Sequence, residues 1–201
     1  METNRIKLRS DVTLDKLKTR IMVRGDLQKS EENMNTWSPA TSFRGYKMFL
    51  GHTTWLKVCV RQLYFIEAYL QAKTRSRIFI TVPAIYGVLF PEYKKYCGTP
   101  VHLLKSMYGM TLSGKYWYQE LNDNLTEIGF SHSTTIPSLF WKIYSDSSVV
   151  FQLDYVDDLL YYCTSNTHIK EVERQLSSRF YLEVMGQAHW YLACQITQLA
   201  N

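Results

Sequence analysis

A chain of 201 residues, 46% hydrophobic and 20% charged, has the composition of an ordinary globular protein with one sizeable core. Its net charge of +5 hides an asymmetry: residues 1–115 carry 19 Lys/Arg against 8 Asp/Glu, and residues 116–201 carry 4 against 10. A basic first half points to a polyanionic partner, while an acidic second half either holds divalent cations or is solvated helix surface. The start METNRIKLRS has no apolar core, and no apolar run reaches roughly 18 residues, which excludes a secretory leader and a spanning helix and implies an intracellular protein with no membrane partner. Cys59, Cys97, Cys163 and Cys194 form no C-x-x-C pair, and no two of the five histidines share metal-ligand spacing, so reduced thiols are expected and no zinc site.

In chain order, residues 1–17 read as a polar remnant. Arg20 to Val23 is a short strand candidate ended by Gly25, followed by a polar stretch through Asn35. Thr36–Pro39 is a turn. Tyr46 to Val60 reads as a helix with Met48, Phe49, Trp55 and Leu56 inward, and Val58 to Phe65 gains strand character. Arg77 to Val82 alternates as a strand and stops at Pro83; residues 84–100 read as a loop. Trp117, Leu121, Leu125 and Ile128 mark one stripe of a helix from Gly114, with Gly129 where a left-handed closing residue belongs. Leu139–Tyr144 and Val149–Val156 form a strand pair, and Leu159–Cys163 follows as a further apolar strand. Ile169, Val172, Leu176 and Phe180 form a second helical stripe with Thr167 as its cap, and Trp190 to Ile196 is a final strand. These elements predict an α+β fold with helices on one face of an antiparallel sheet.

Asp157 and Asp158 stand in a tight turn between apolar strands. Their mutual repulsion is relieved by water or a cation, and Mg²⁺ favours one or two carboxylates plus substrate phosphates. The competing reading is a plain hairpin turn, in which Asp is a favoured residue.

The surrounding residues carry a resemblance. Tyr155–Val156–Asp157–Asp158 between two strands resembles the signature turn of reverse transcriptases. Leu103–Leu104–Lys105–Ser106–Met107–Tyr108–Gly109–Met110, continuing through Ser113–Gly114–Lys115–Tyr116–Trp117, is similar to the copia-type block L-x-K-S-L-Y-G-L-K-Q-S-x-x-x-W. Gln62–Leu63–Tyr64 through Ala68–Tyr69–Leu70–Gln71–Ala72 resembles the first catalytic block, Q-L-D-x-x-x-A-Y/F-L-x-A. Lys18 to Gly25 resembles the family's basic fingers strand, and Thr36–Trp37–Ser38–Pro39 the turn after it. The blocks keep the family's order and spacing over roughly residues 18–197.

The resemblance to copia-type retrotransposon reverse transcriptases implies fingers and palm, with 1–17 a remnant, 18–56 fingers-like, and 57–201 a palm carrying a partial fingers insertion near 73–105. It implies a primer extended on an RNA or DNA template from deoxynucleoside triphosphates, with two Mg²⁺ held mainly by the aspartate of the first block and the first of the tandem pair, Asp157, with Asp158 beside it. Asp157 and Asp158 take the catalytic and metal-binding positions. Lys18, Arg20 and Arg24 match positions that hold the incoming triphosphate, an electrostatic role open to a solvated basic strand as alternative. Tyr69 matches the aromatic residue that crowds a ribose 2′-OH, with core packing as its alternative. Tyr108 and Gly109 match the element beneath the templating base, Gly109 permitting close backbone approach. Thr111 and Leu112 depart from the common Lys and Gln, so the contacts of those two residues are not carried over. The family's thumb, connection and ribonuclease H portions, and the other polyprotein domains, have no counterpart in these residues.

Tyr64 is the serious departure, because the family has its first metal-binding aspartate there. A neutral phenol is a poor Mg²⁺ ligand and brings bulk into a space meant for an ion. The expectation is an impaired polymerase domain. The alternatives are a non-catalytic nucleic-acid binder and a relic with no selected role.

Overall fold

The computed structural model describes residues 2–8, 13–28 and 35–199. The expected polar remnant is instead one half of a hairpin: β1 (Glu2–Leu8) pairs antiparallel with β2 (Leu14–Ile21), in register from Glu2↔Ile21 to Leu8↔Leu14. The pairing rests on backbone hydrogen bonds, which a polar stretch without apolar alternation does not advertise. After β2 the chain runs extended through Met22–Arg24, with Val23 N–H donating to the Tyr108 carbonyl at 2.9 Å, and closes in a short 3₁₀ turn at Gly25–Leu27.

The helix α1 (Phe43–Leu56) is capped by Ser42, whose hydroxyl accepts from Gly45 N–H at 3.1 Å, and ends where Lys57 turns left-handed. It starts and ends earlier than its apolar residues suggested. Its inward residues are Tyr46, Phe49 and Thr53, while Met48 and Trp55 are exposed. The spacing of three and four from Tyr46 defines the buried stripe, and Met48 and Trp55 lie off it. Next come β3 (Arg61–Phe65), a single turn α2 (Ala68–Gln71) and β4 (Phe79–Thr81). The expected loop over 84–100 instead contains α3 (Ala84–Leu89) and a 3₁₀ turn (Pro91–Tyr96) before β5 (Pro100–His102) pairs with β4. Neither piece buries a residue, so neither had an apolar stripe to reveal it.

The expected long helix is α4 (Ser113–Glu127), closed by Gly129 at φ +92°. Then follow β6 (Ser131–His132), β7 (Leu139–Ile143), β8 (Val149–Tyr155), β9 (Asp158–Cys163) and α5 (Asn166–Arg179). The cap position of α5 is Ser165 and not Thr167, which lies inside the first turn. The chain returns as β10 (Leu182–Gln187), a strand the apolar pattern did not single out. The expected final strand is a small hairpin of β11 (Trp190–Tyr191) and β12 (Cys194–Gln195). Its turn residues Leu192 and Ala193 both have positive φ with neither Gly nor Asn present, so no turn signal announced it.

One sheet organises the rest, in the order β10-β3-β9-β8-β7-β6, and every adjacent pair is antiparallel. The α+β, antiparallel expectation holds, but helices cover both faces. Leu63, Phe65, Val150, Leu159 and Tyr161 pack with Trp117, Leu121 and Leu125 of α4 and Ile169, Val172 and Leu176 of α5. Leu153, Leu160 and Tyr162 point the other way, against Tyr46 and Phe49 of α1 and Tyr191 of the terminal hairpin. Leu159 through Cys163 are therefore buried without alternation, as a strand covered on both sides requires.

The backbone of the first strand pair reaches this body at a glycine crossing. A Cβ on Gly25 meets the Gly109 carbonyl oxygen at 2.0 Å, and one on Gly109, at φ +88°, meets that of Val23 at 2.2 Å. The close approach that Gly109 permits is thus to the chain's own Val23–Gly25 segment. Gly109→Ala forces both the crossing apart and a strained φ, and is expected to cost about 2 kcal/mol or more, measured by urea unfolding.

Candidate functional site

The β8–β9 turn is bent by Val156, whose φ of +59° is costly for a β-branched residue. Two bonds hold it there. Trp117 Nε1 donates to the Val156 carbonyl at 2.7 Å, and Phe65 N–H donates to the Asp157 carbonyl at 2.7 Å. The second bond ties the end of β3 to the acidic turn, and Tyr64 lies directly across from Asp158 in the sheet register.

Tyr64 therefore sits at the acidic pair. Its hydroxyl donates to Asp157 Oδ2 at 3.2 Å, and burial, reinforced by the Asp157 charge, pushes the phenol up to about 12. Asp158 is held on its other side by Gln62, whose Nε2 donates to Oδ1 at 2.6 Å and to the Trp190 carbonyl at 2.9 Å. Burial, with the Asp157 charge adding to it, raises Asp158 to about 6 against the pull of the Gln62 bond.

Tyr69 and Tyr108 face each other with ring centroids 5.2 Å apart, and the Arg20 guanidinium lies over the Tyr108 ring at 5.1 Å. Burial raises both phenols first, and the Asp157 charge adds to each. Asp157, Asp158, Tyr64, Tyr69, Tyr108 and Arg20, distant in sequence, thus form one neighbourhood. Arg24 does not join it, since its guanidinium is paired with Asp26 at 2.6 Å. Lys18 occupies a position in β2, and its side chain lies outside the described residues.

Neither nearby acid replaces a carboxylate at position 64. Glu67 is exposed, with its backbone at φ +54° at the start of α2. Asp154 pairs with Leu159 across β8–β9, so it points to the face opposite Tyr64 and Asp158. It is 2% exposed, and its Oδ1 has no hydrogen-bond partner. Burial first, then the charges of Asp157 and Asp158, raise it well above its ordinary value of 3.8. The folded chain therefore keeps a proton that the unfolded chain releases above about pH 4, and this group's stabilisation is lost as pH rises. Asp154→Asn is expected to match the parent at about pH 3.5 and to exceed it in stability at about pH 7.5, compared by urea unfolding at both pH values.

Sequence reasoning missed two supporting residues. Gln62 lay in a quoted block as a strand residue, and only the register shows it bonding Asp158. Trp117 was legible as core packing and not as the donor that fixes the turn.

An antiparallel sheet thus carries a carboxylate pair at a strand-to-strand turn, with an aromatic wall and an arginine beside it. Residues 5–201 match the family model described as reverse transcriptase (RNA-dependent DNA polymerase), and the chain belongs to that family. More narrowly, the curated relatives it is similar to are copia-type retrotransposon Pol polyproteins. It is 28% identical over 190 residues to the retrovirus-related Pol polyprotein from transposon RE1 of Arabidopsis thaliana, covering 94% of this chain and 13% of that protein. It is 24% identical over 195 residues to the Pol polyprotein from transposon TNT 1-94 of Nicotiana tabacum, covering 96% of this chain and 14% of the relative. The chain thus spans about an eighth of the length of these relatives. No solved structure matches it. Among the described residues no helix is long and apolar enough to cross a membrane.

Proposed function

We propose that the chain is the fingers and palm of an RNA-directed DNA polymerase, impaired as a nucleotidyltransferase because Tyr64 stands at the first metal-ligand position. The single observation that carries this reading is the Tyr64 hydroxyl donating to Asp157 at 3.2 Å. By family resemblance an aspartate at that position and Asp157 share a cation. Here the same neighbour offers a proton to the carboxylate in place of a charge.

The residues present do not fit the two Mg²⁺ ions of the family. Mg²⁺ requires near-octahedral, compact oxygen ligands. The phenol stays protonated at neutral pH, and Asp158 is engaged by Gln62. Among the described residues no three His, Cys, Asp or Glu side chains converge as a metal-binding group. What survives is recognition: Arg20 for a phosphate, Tyr69 against a sugar, and Tyr108 beneath a base, serving an RNA or DNA template with primer and deoxynucleoside triphosphates. The basic composition of residues 1–115 favours a second reading, a non-catalytic nucleic-acid binder derived from the same polyprotein.

Calorimetric titration with Mg²⁺ tests the reading. The parent chain and Asp157→Asn are expected to give the same weak response. Millimolar or tighter binding by the parent that Asp157→Asn abolishes would show that the ion site persists and that Tyr64 is no obstacle.

A further inference from the structure

The end of β2 and the β4–β5 hairpin enclose a space that their own side chains do not fill. Ile21 and Val23 form one wall, Ile80 and Leu103 a second, and Tyr86, Tyr93 and Tyr96 a third, around a cleft of about 870 Å³. The walls are held apart by the backbone. Val23 N–H donates to the Tyr108 carbonyl at 2.9 Å, Leu103 N–H to that of Ile78 at 2.8 Å, and Gly98 N–H to that of Val82 at 2.9 Å. Packing fixes the third wall: a Cβ on Gly87 meets Cys97 Sγ at 2.9 Å, so α3 lies tight against the 3₁₀ turn, and the Tyr86 and Phe90 rings meet with centroids 5.1 Å apart. A space with walls fixed in this way collapses only partly. The third wall is also unusually apolar for a segment that buries nothing, since Ile85, Val88, Leu89, Phe90 and Tyr93 are all exposed. Such a surface is stabilised when something apolar takes it out of water.

The lining decides what that is. A cleft of roughly 300–1,000 Å³ suits a small organic molecule. The one charged side chain among the described lining residues, Arg24, is paired with Asp26 at 2.6 Å, and Gln28 Oε1 accepts from the Thr111 hydroxyl at 2.9 Å. No free charge is left for an acid or a phosphate, and burying one unpaired is costly. A peptide brings backbone donors and acceptors that aliphatic walls cannot satisfy. Aliphatic faces opposite three phenol rings suit a flat, uncharged ring system, which packs against both.

We propose that this cleft binds a neutral planar aromatic molecule of roughly two to four rings, seated between Ile80 and the tyrosine wall. Bound there, it ties the end of β2 to the β4–β5 hairpin and stabilises the folded chain by mass action. The site lies outside the acidic turn and needs neither metal nor nucleic acid, so it stands or falls apart from the polymerase reading.

Fluorescence titration of the parent chain with N-phenyl-1-naphthylamine, an uncharged probe that brightens in apolar surroundings, tests it. The comparison ligand is 1-anilinonaphthalene-8-sulfonate, the same ring system bearing an anion. The neutral probe is expected to bind as a single equivalent, roughly tenfold or more tighter than the sulfonate, and to raise the melting temperature. Ile80→Trp, which fills the cleft, is expected to weaken the neutral probe roughly tenfold. Tyr93→Ala removes part of the aromatic wall at a half-exposed position where folding is not at stake, and should weaken it to a similar extent. Ile143→Trp, exposed on β7 and outside the cleft, should change nothing. Uptake of several equivalents with parental affinity in Tyr93→Ala overturns the proposal, because the probe then reports general apolar surface. Tighter binding of the sulfonate also overturns it, in favour of an acid. So does an oligomer in sedimentation that excludes the probe, which would make the cleft a contact between copies of the chain.

Discussion

Tyr64→Asp is expected to create a Mg²⁺ response that the parent chain lacks, and with it metal-dependent nucleotide incorporation at least a hundredfold above the parent. The substitution removes a protonated phenol from Asp157 Oδ2 and puts a carboxylate across from Asp158 in the β3–β9 register. Electrostatic stabilisers of a developing charge are worth on the order of 10²–10³ in rate when one is removed, so restoring a whole ion site is worth at least that. The same change has a thermodynamic signature that does not need turnover. Without metal, a third carboxylate beside Asp157 and Asp158 and the lost ring packing should cost about 1–3 kcal/mol. Added Mg²⁺ should then raise the melting temperature of the variant and not of the parent, because an ion that binds only the folded state stabilises it by mass action. If both proteins melt at the same temperature with and without Mg²⁺, loss of the aspartate does not explain the site.

The largest effect on stability is expected from Trp117→Ala. Trp117 is 1% exposed, meets Phe65 edge-on at 5.0 Å and Phe180 at 5.3 Å, and bonds the Val156 carbonyl. Truncating a fully buried tryptophan costs about 3–5 kcal/mol through lost transfer energy and the cavity left behind. Trp117→Phe separates the two roles of the side chain. It keeps most of the packing and removes the donor, so the unpaired carbonyl should cost about 1–2 kcal/mol. It should also loosen the turn, because Val156 is held in a left-handed conformation that is unfavourable by about 1–2 kcal/mol. Urea unfolding measures the first effect, and faster amide exchange at residues 155–158 the second. A Trp117→Phe protein with parental stability and exchange would show that the turn needs no such tie.

The two experiments meet at one place. The bond from Trp117 and the bond from Phe65 N–H to the Asp157 carbonyl fix the acidic turn against β3, beside the residue at position 64. A site with a loose turn could rotate Asp157 away from the phenol. Here the backbone keeps the two together.

Much of this was legible from residues alone. The spacing of Trp117, Leu121 and Leu125 marked α4, the apolar runs on either side of Asp157 and Asp158 marked a strand pair, and the ordered blocks carried the family. Position 64 stood out because the block it resembles has an aspartate there, and a phenol and a carboxylate differ in charge. Periodicity is a local property, however, and it reports one buried face of one element. It did not reveal that Leu160 and Tyr162 meet a second layer built from α1 and the terminal hairpin, nor that residues 2–8 pair with β2. Only the tertiary structure decided that Gln62 and Tyr64 each bond one member of the acidic pair, that Asp154 is buried with an unpartnered oxygen, and that Lys73 and Lys105 stand opposed. Each of these follows from strand register, and register is set by how distant segments satisfy each other's backbone and bury each other's side chains.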